Sequence, residues 1–589
     1  FVNEHRWAEE VDAVFNFEAR GTEGRSLMFE TGAGNAELVH AFATEVPYAT
    51  GSSLLYEFYQ RMPNDTDFSE TRRLGAVPGM NFAFIGGVER YHSPADDVES
   101  LDPRSLQHHG YSALGMVRQV GDEVLPLRRV GDAVFFNLPL AGMVTYPVER
   151  AYGHAGMAAL LVMVVIAGGV AIGPLRLRGL AAGLAAAAGI PMLALLAGAG
   201  YSIAVFGIHG MMPAGGRPQG SAVYAGALIL LTLAVVALGS RAVRRWAGTA
   251  EIAAGTLLLF LALAVAGTVL FPVSSYIFVW PTIAGGIALG IALTSPRSRW
   301  LVALRELALW PAAAAVLFIF VPLATLVFLG LQMEVLGGAL IVLSAALAYL
   351  LLGWMPERWD SPDRMRLPGV FAATALLLTA VGLISVRHDS ERPRLNQVTY
   401  LQEEGEGARW IAFGGEKDEW LRQFLGPAPA EADAADLVRA GLPSIHSGPL
   451  LQAPAPNQVL SAPEVTLLVD QEGPQGRILL LEARPPEGAD ALFFHVEGGN
   501  VRRMNLQGRR IQREAYRFPT TDWLLTYHAP PEEGIYLSFI VDEGELEIAV
   551  SAGRRGLPEM VGSEWSPRPG SSIPTQDGDR SWVSRRSSF

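Results

Sequence analysis

The spacing of apolar and polar positions divides the chain into three regions. Residues 1–120 alternate short β-type runs with amphipathic segments. Val11 to Phe17 (VDAVFNF) reads as a strand ending at Glu18-Ala-Arg-Gly, and Ser26 to Glu30 (SLMFE) as a second. Asn35 to Val46 is helical, with Leu38, Val39 and Phe42 on one stripe, and Leu54 to Tyr59 is a weaker helix. Met80 to Ile85 is a third strand, broken by Gly86-Gly87. Asp102-Pro103 supplies an N-cap and a proline at the first helical position, and that helix runs through Leu106, Ala113, Leu114 and Val117. Strands alternating with helices predict an α/β domain with a mixed sheet and flanking helices.

From Tyr152 the polar positions nearly vanish. Eight apolar runs approach the roughly 20 residues needed to cross a bilayer: 152–172, 180–200, 221–239, 252–272, 276–294, 309–331, 335–353 and 368–386. Arginine falls on alternate connections. Arg176 and Arg178 follow the first run, Arg241, Arg244 and Arg245 the third, Arg297, Arg299 and Arg305 the fifth, and Arg358, Arg364 and Arg366 the seventh. The intervening connections hold only Arg217. By the positive-inside rule this predicts an eight-helix transmembrane bundle with both flanking regions on the non-cytoplasmic face. The stretch Pro272 to Pro281 (PVSSYIFVWP) reads as an interfacial aromatic belt.

Beyond residue 388 short β-rich runs recur between Gly- and Pro-rich turns, among them Val465 to Val469, Arg477 to Leu481 and Ile535 to Val541. They predict a small all-β domain, a sandwich. The expected boundaries are an α/β domain over 1–125, a linker over 126–150, the bundle over 151–387, the β-rich domain over 388–565 and a flexible tail over 566–589.

Composition narrows the function. Half of the 589 residues are apolar and 17% are charged, which suits a membrane protein. The net charge of −13 speaks against a nucleic-acid partner. The chain has no cysteine, so disulfides, thiolate catalysis and cysteine-ligated metals are excluded, and any metal must be held by His and carboxylates. Lysine occurs only at Lys417 against many arginines, which points to a GC-rich bacterial gene and hence to a bacterial inner membrane.

Candidate chemistry gathers in the first hundred residues. Glu18 stands at a strand end between Asn16 and Arg20, Asp65 and Asp67 share a turn, and Tyr91-His92 with Asp96 and Asp97 crowd the loop after the third strand. Loops at strand ends often carry function. Each residue also has an ordinary reading: a salt bridge with Arg20 for Glu18, helix capping for Asp65 and Asp67, a solvated loop residue for His92. His108 and His109 are adjacent on a helix and point apart, which argues against a shared metal.

The run FVNEH…NFEARG…SLMFETG…PNDTDF…VPGMNFAFIGG…YHSPADD…LDPRSLQHHG resembles the second half of a co-catalytic dizinc exopeptidase domain. That family includes bacterial leucyl aminopeptidases and glutamate carboxypeptidases. The resemblance is closest to its membrane-embedded branch, the endoplasmic reticulum metallopeptidases and vacuolar membrane proteases, which join a peptidase domain to multiple spans and a C-terminal β-rich domain. It implies two zinc ions sharing a bridging Asp and a water, with a Glu as general base. It further implies that Glu18 and His92 are zinc ligands, that Tyr91 donates to the developing oxyanion, and that Asp65 and Asp96 stand behind the ligands. The family's His-x-Asp motif, bridging Asp and Glu-Glu pair have no counterpart here, so the expectation is an N-terminally truncated chain that is inactive alone. Three readings follow: a membrane-anchored zinc exopeptidase acting on peptides, a non-catalytic membrane protein whose peptidase-like domain binds peptides or partners, and a transporter with soluble ectodomains.

Overall fold

The computed structural model describes residues 5–61, 66–71, 77–88, 90–122, 131–208, 221–294, 298–331, 335–352, 367–385, 389–390, 393–413, 419–443, 450–511, 522–542, 544–559 and 565–589. Its contacts divide the chain into two compact units. One comprises Phe1–Tyr91, Ala95–Val205 and Arg217–Arg387; the other comprises His92–Pro94, Phe206–Gly216 and His388–Phe589.

The first unit opens with β1 (Val14–Ala19), β2 (Leu27–Thr31), α1 (Ala36–Glu45), α2 (Ser53–Tyr59), α3 (Asp67–Thr71), β3 (Gly79–Phe84) and α4 (Pro103–Gly121). The sheet order is β1-β3-β2, with β1 parallel and β2 antiparallel to β3. All six positions of β3 are buried, as expected of a strand covered on both faces. One face of the sheet is apolar: Phe15, Phe17, Met28, Met80 and Phe82 pack with Leu38, Val39 and Phe42 of α1 and Met116 of α4. Gly79 is required where it stands, because a Cβ there would lie 2.6 Å from the Val14 carbonyl oxygen and 2.7 Å from the Phe68 ring.

Helix α4 starts as expected, with Asp102 accepting the Arg104 N–H and Pro103 at its first position. Its inward face differs from its hydrophobic pattern. Ser105, His109, Ser112, Met116 and Val120 are buried, while Leu106, Leu114 and Val117 are exposed. Met116 and Val120 join the sheet core, while His109 bonds to Ser26 and to the Glu18 carbonyl.

The expected linker over 126–150 is, from residue 131, an ordered part of the core. It forms the hairpin β4 (Ala133–Leu138) and β5 (Gly142–Pro147). Strand β4 alternates between two cores: Ala133 and Phe135 join the α1–sheet core, and Val134 and Phe136 join the core of the apolar helices. A strand buried on both faces carries an unbroken apolar run, here AVFF, and cannot act as a spacer.

Each of the eight apolar runs is helical: α5 (Glu149–Ile172), α6 (Leu177–Ile208), α7 (Ser221–Val243), α8 (Thr249–Leu270), α9 (Tyr276–Ala292), α10 (Arg299–Leu331), α11 (Val335–Leu352) and α12 (Leu367–Ser385). Among the described residues six of these are long and apolar enough to cross a membrane, while Tyr276–Ala292 and Gly338–Tyr349 are shorter apolar helices. Glu251, 2% exposed at the start of α8, braces two helices. It accepts from Arg176 Nε at 2.9 Å and Nη2 at 2.8 Å, and from the backbone N–H groups of Arg176 and Gly248. The Pro272–Pro281 stretch, expected to be an aromatic belt, bonds to the N-terminal helices and hairpin. Ser53 Oγ donates to the Val273 carbonyl at 2.6 Å, Ser52 Oγ meets Tyr276 OH at 2.8 Å, and the Tyr276 and Phe136 rings stack at 4.2 Å.

The second unit is rich in sheet but is not all-β, since it also holds α13 (Glu419–Leu425) and α14 (Ala434–Arg439). Its strands are β6 (Arg394–Leu395), β7 (Val398–Glu403), β8 (Gly407–Phe413), β9 (Ala430–Ala432), β10 (Leu450–Ala455), β11 (Glu464–Gly473), β12 (Gly476–Arg484), β13 (Ala491–Gly498), β14 (Val501–Leu506), β15 (Arg509–Ile511), β16 (Trp523–His528), β17 (Ile535–Val541), β18 (Leu546–Arg555), β19 (Ser572–Ile573) and β20 (Arg580–Ser588). An eight-stranded sheet ordered β16-β13-β18-β20-β7-β8-β10-β9 and a five-stranded sheet ordered β11-β12-β17-β14-β15 share a core of Leu481, Phe494, Met504, Phe539 and Val550.

The expected flexible tail over 566–589 is corrected here. Strand β20 lies inside the larger sheet, antiparallel to β18 and parallel to β7. Trp582 and Val583 are buried. Removing residues 580–589 therefore splits the sheet, and limited proteolysis should show the whole C-terminal unit becoming cleavable. The milder Trp582→Ala should cost about 3–5 kcal/mol in denaturant titrations.

Candidate metal centre at the edge of the N-terminal sheet

The apolar face of the three-stranded sheet fixes what its other face presents. Because side chains alternate, burying Phe15, Phe17 and Phe82 turns Asn16, Glu18 and Asn81 the opposite way. Asn16 and Asn81 are register partners across the parallel pair. On the far side a bulge between Met28 and Glu30 shifts the register, so that Glu30 rather than Phe29 stands opposite Asn81. The result is a polar row across all three strands, with Asn81 and Glu30 fully buried.

The row is joined by hydrogen bonds. Asn16 Nδ2 donates to Glu18 Oε1 at 2.7 Å and to Asn81 Oδ1 at 2.9 Å. Asn81 Nδ2 donates to Glu30 Oε2 at 3.0 Å and to Thr66 Oγ1 at 2.8 Å. Glu18 stands near the C-terminal end of β1, at the edge where parallel strands present ligands. Burial raises its carboxyl above the usual range; the hydrogen bonds from Asn16 and Thr66 oppose this, and the charges of Asp67 and Glu30 add to it. The Tyr91 phenol is likewise raised, first by burial and then by the charges of Glu18 and Asp96, against the pull of Arg20. Tyr91 therefore keeps its proton at neutral pH and can donate it in a hydrogen bond.

His108 and His109 hold this edge from behind. His109 Nε2 donates to the Glu18 carbonyl oxygen at 2.9 Å, which leaves Nδ1 to accept from Ser26 Oγ at 2.6 Å. His108 Nδ1 accepts the Ser26 N–H at 3.0 Å, and its Nε2 donates to the Tyr48 carbonyl oxygen at 3.2 Å. Both rings bond to the frame of the site, and burial lowers both from their ordinary value.

The other sequence candidates fall as follows. His92 is exposed, has a left-handed φ of 56°, and groups with the second unit, where its carbonyl accepts the Gln576 N–H at 2.7 Å. Such a conformation is costly for a non-glycine residue, although His tolerates it better than most. Asp96 is exposed and Asp65 lies outside the described residues. Asp97 accepts the Ser100 N–H and shapes a turn. Sequence reasoning missed Asn16, Asn81 and Glu30. The available signal was two asparagines and a glutamate inside otherwise apolar β-type runs.

Half-buried Glu18, acted on by the charges of Asp67 and Glu30, forms an acidic group that suits a cation. The fit to a metal is partial. Glu18 offers a carboxylate and Tyr91 a neutral donor, but among the described residues Glu18 does not belong to any group of three His, Asp or Glu ligand atoms close enough to share one ion.

Residues 1–117 match the model of Peptidase family M28. The N-terminal region is similar to that family. The chain is also similar to endoplasmic reticulum metallopeptidase 1 of Homo sapiens, at 31% identity over 153 residues, covering 25% of this chain and 17% of that protein. It is 26% identical over 136 residues to the vacuolar membrane protease of Schizosaccharomyces pombe, covering 22% of this chain and 16% of the relative. The vacuolar membrane protease of Debaryomyces hansenii is 25% identical over 125 residues, covering 21% and 12%. The match thus spans less than a fifth of each of these relatives. No solved structure gives a significant match.

Two outcomes follow for this M28 region. Asn81→Ala removes one donor from a fully buried carboxylate and should destabilise the N-terminal region by about 1–3 kcal/mol in chemical denaturation. The histidines make its stability depend on pH. Their folded-state values lie below the ordinary 6.5, so on acidification the unfolded chain takes up protons first. Stability should be full above pH 6.5 and fall as the pH drops below it. The slope of Tm against pH should flatten in the double variant His108→Asn/His109→Asn.

Proposed function

We propose that this chain is part of a membrane-anchored, zinc-dependent exopeptidase of aminopeptidase type. The observation that carries the reading is the half-buried Glu18 beside the protonated Tyr91, at the carboxyl edge of the sheet and inside the segment that matches family M28. In this reading Glu18 and His92 are two of the protein ligands of a pair of zinc ions, and Asp65 and Asp96 orient them. When bound, zinc polarises the scissile carbonyl and lowers the pKa of a water. Tyr91 donates its phenolic hydrogen to the oxygen on which charge develops. The row Asn16–Asn81–Glu30 holds Glu18 in one rotamer, and His109 fixes its backbone.

The membrane placement belongs to the same proposal. The eight apolar helices, six of them of spanning length, together with arginines on alternate connections, support a multi-pass protein of a bacterial inner membrane with the N- and C-terminal regions on the non-cytoplasmic side. The substrate is a peptide with a free terminus.

The membrane-purified protein that carries this chain, assayed on aminoacyl-nitroanilides with metal content measured in parallel, tests the reading. Tyr91→Phe should keep its zinc and lose about 10²-fold or more in kcat. His92→Ala should lose both activity and zinc. Normal turnover by Tyr91→Phe would remove the oxyanion role. Binding of peptides without hydrolysis would favour the non-catalytic reading, which the incomplete ligand set among the described residues keeps open.

A further inference from the structure

The second unit holds a ligand set of its own. His495 and Glu497 lie two residues apart on β13 and leave the same face of the strand. Asp522 immediately precedes β16, whose first residue Trp523 pairs with Val496, so Asp522 faces Glu497 across the strand pair. His495 Nε2 lies 3.2 Å from Asp522 Oδ2 and 3.9 Å from Glu497 Oε2, and the three ligand atoms all lie within 4.8 Å of one another. Nitrogen and oxygen ligands held about 2.0–2.1 Å from a tetrahedral zinc ion sit roughly 3.3–3.4 Å apart. The observed separations bracket that spacing.

The local charge also favours a cation. Two carboxylates facing one another across an antiparallel pair repel. The guanidinium facing them, Arg439 Nε, is 3.9 Å from Glu497 Oε2 on a side chain that is more than half exposed. That exposed pair on Glu497 contributes little by itself. His495 is 3% exposed, as suits a ligand held rigidly by the sheet, while Glu497 and Asp522 are partly open to solvent.

From this geometry we infer that His495, Glu497 and Asp522 bind a divalent transition metal ion, with zinc the best fit to one imidazole and two carboxylates. Calcium, which takes six to eight oxygens, is disfavoured by the imidazole and the small ligand count. Three protein ligands leave a position for water on the open side. The ion pins β16, the edge strand of the eight-stranded sheet, to β13.

This site is independent of the N-terminal one, and the test separates them. The detergent-purified full chain is stripped with chelator, dialysed against zinc and assayed for bound metal, and its unfolding is followed with and without zinc. Asp522→Asn and His495→Gln should each bind one zinc fewer per chain than the parent. The same loss should appear in a Glu18→Gln/His92→Ala background, where the N-terminal site has been removed. Zinc should raise the Tm of the C-terminal transition in the parent and leave it unmoved in Asp522→Asn. Unchanged zinc stoichiometry in Asp522→Asn, a near-isosteric change at a partly exposed position that leaves the fold intact, would overturn the assignment whatever becomes of His495→Gln.

Discussion

Strand β4 buries both of its faces, and the first unit is built on that fact. Ala133 and Phe135 complete the core under α1 and the sheet, while Val134 and Phe136 belong to the core of the apolar helices. Each buried phenylalanine is worth about 1.5–3 kcal/mol of apolar transfer, so neither core can let go of the hairpin cheaply. A strand that is apolar on both faces has no amphipathic signal to set its register. Here polar contacts set it. Ser53 Oγ accepts the Phe135 N–H at 3.2 Å, Asn35 Oδ1 accepts the Ala133 N–H at 2.8 Å, and Asn137 bonds through both ends of its amide to Gly51 N–H and the Ala49 carbonyl. Ser53 also reaches Val273 in the turn before α9. The α/β sheet is therefore fixed to the helices through a serine, two asparagines and a stacked tyrosine, and its functional edge cannot tilt without breaking them.

The polar row on that sheet works by a different logic. A carboxylate as fully buried as Glu30 costs stability unless it is well bonded, and Asn81 provides one such bond while also linking Glu18 through Asn16. Amides are suited to this position because each donates and accepts at once, so two carboxylates can share one network without touching. The bulge at Phe29 is what brings Glu30 into the row. Bulges next to functional residues commonly re-aim a side chain in this way.

What could be read from the sequence follows the range of the interaction that decides each element. Helix α1 with its Leu38, Val39 and Phe42 stripe, the Asp102-Pro103 start of α4 and the eight apolar helices all announce themselves within a few residues, because period and capping are local. Strand β20 does not. Its sequence RSWVSRRSS is mostly polar, and it is a strand because β18 pairs with it on one side and β7, some 180 residues earlier in the chain, on the other. The hairpin at 133–147 was hidden because half of what buries it lies in α5 to α9. At the site, Glu18 and Tyr91 stand out by motif, whereas Asn16, Asn81 and Glu30 become partners only through the register of three strands and a bulge. Helix α4 misleads for a related reason: its buried face mixes Ser105, His109 and Ser112 with Met116 and Val120, while Leu106, Leu114 and Val117 are exposed.

The two carboxylate clusters differ in a way that bears on what each needs. At the N-terminal edge Asn16 and Asn81 stand between Glu18 and Glu30, so the two carboxyl groups are spaced by neutral amides. At His495, Glu497 and Asp522 face each other across the strand pair, and the buried imidazole lies 3.9 Å from the one and 3.2 Å from the other. An imidazole can meet two carboxylates through a hydrogen bond or by sharing an ion. His495 Nε2 lies 3.2 Å from Asp522 Oδ2 and 3.9 Å from Glu497 Oε2, so a hydrogen bond from it reaches only the first. An ion between the three atoms can bond to all of them at once. The second carboxylate, Glu497, is therefore the feature that separates a metal site from an ordinary His–Asp pair.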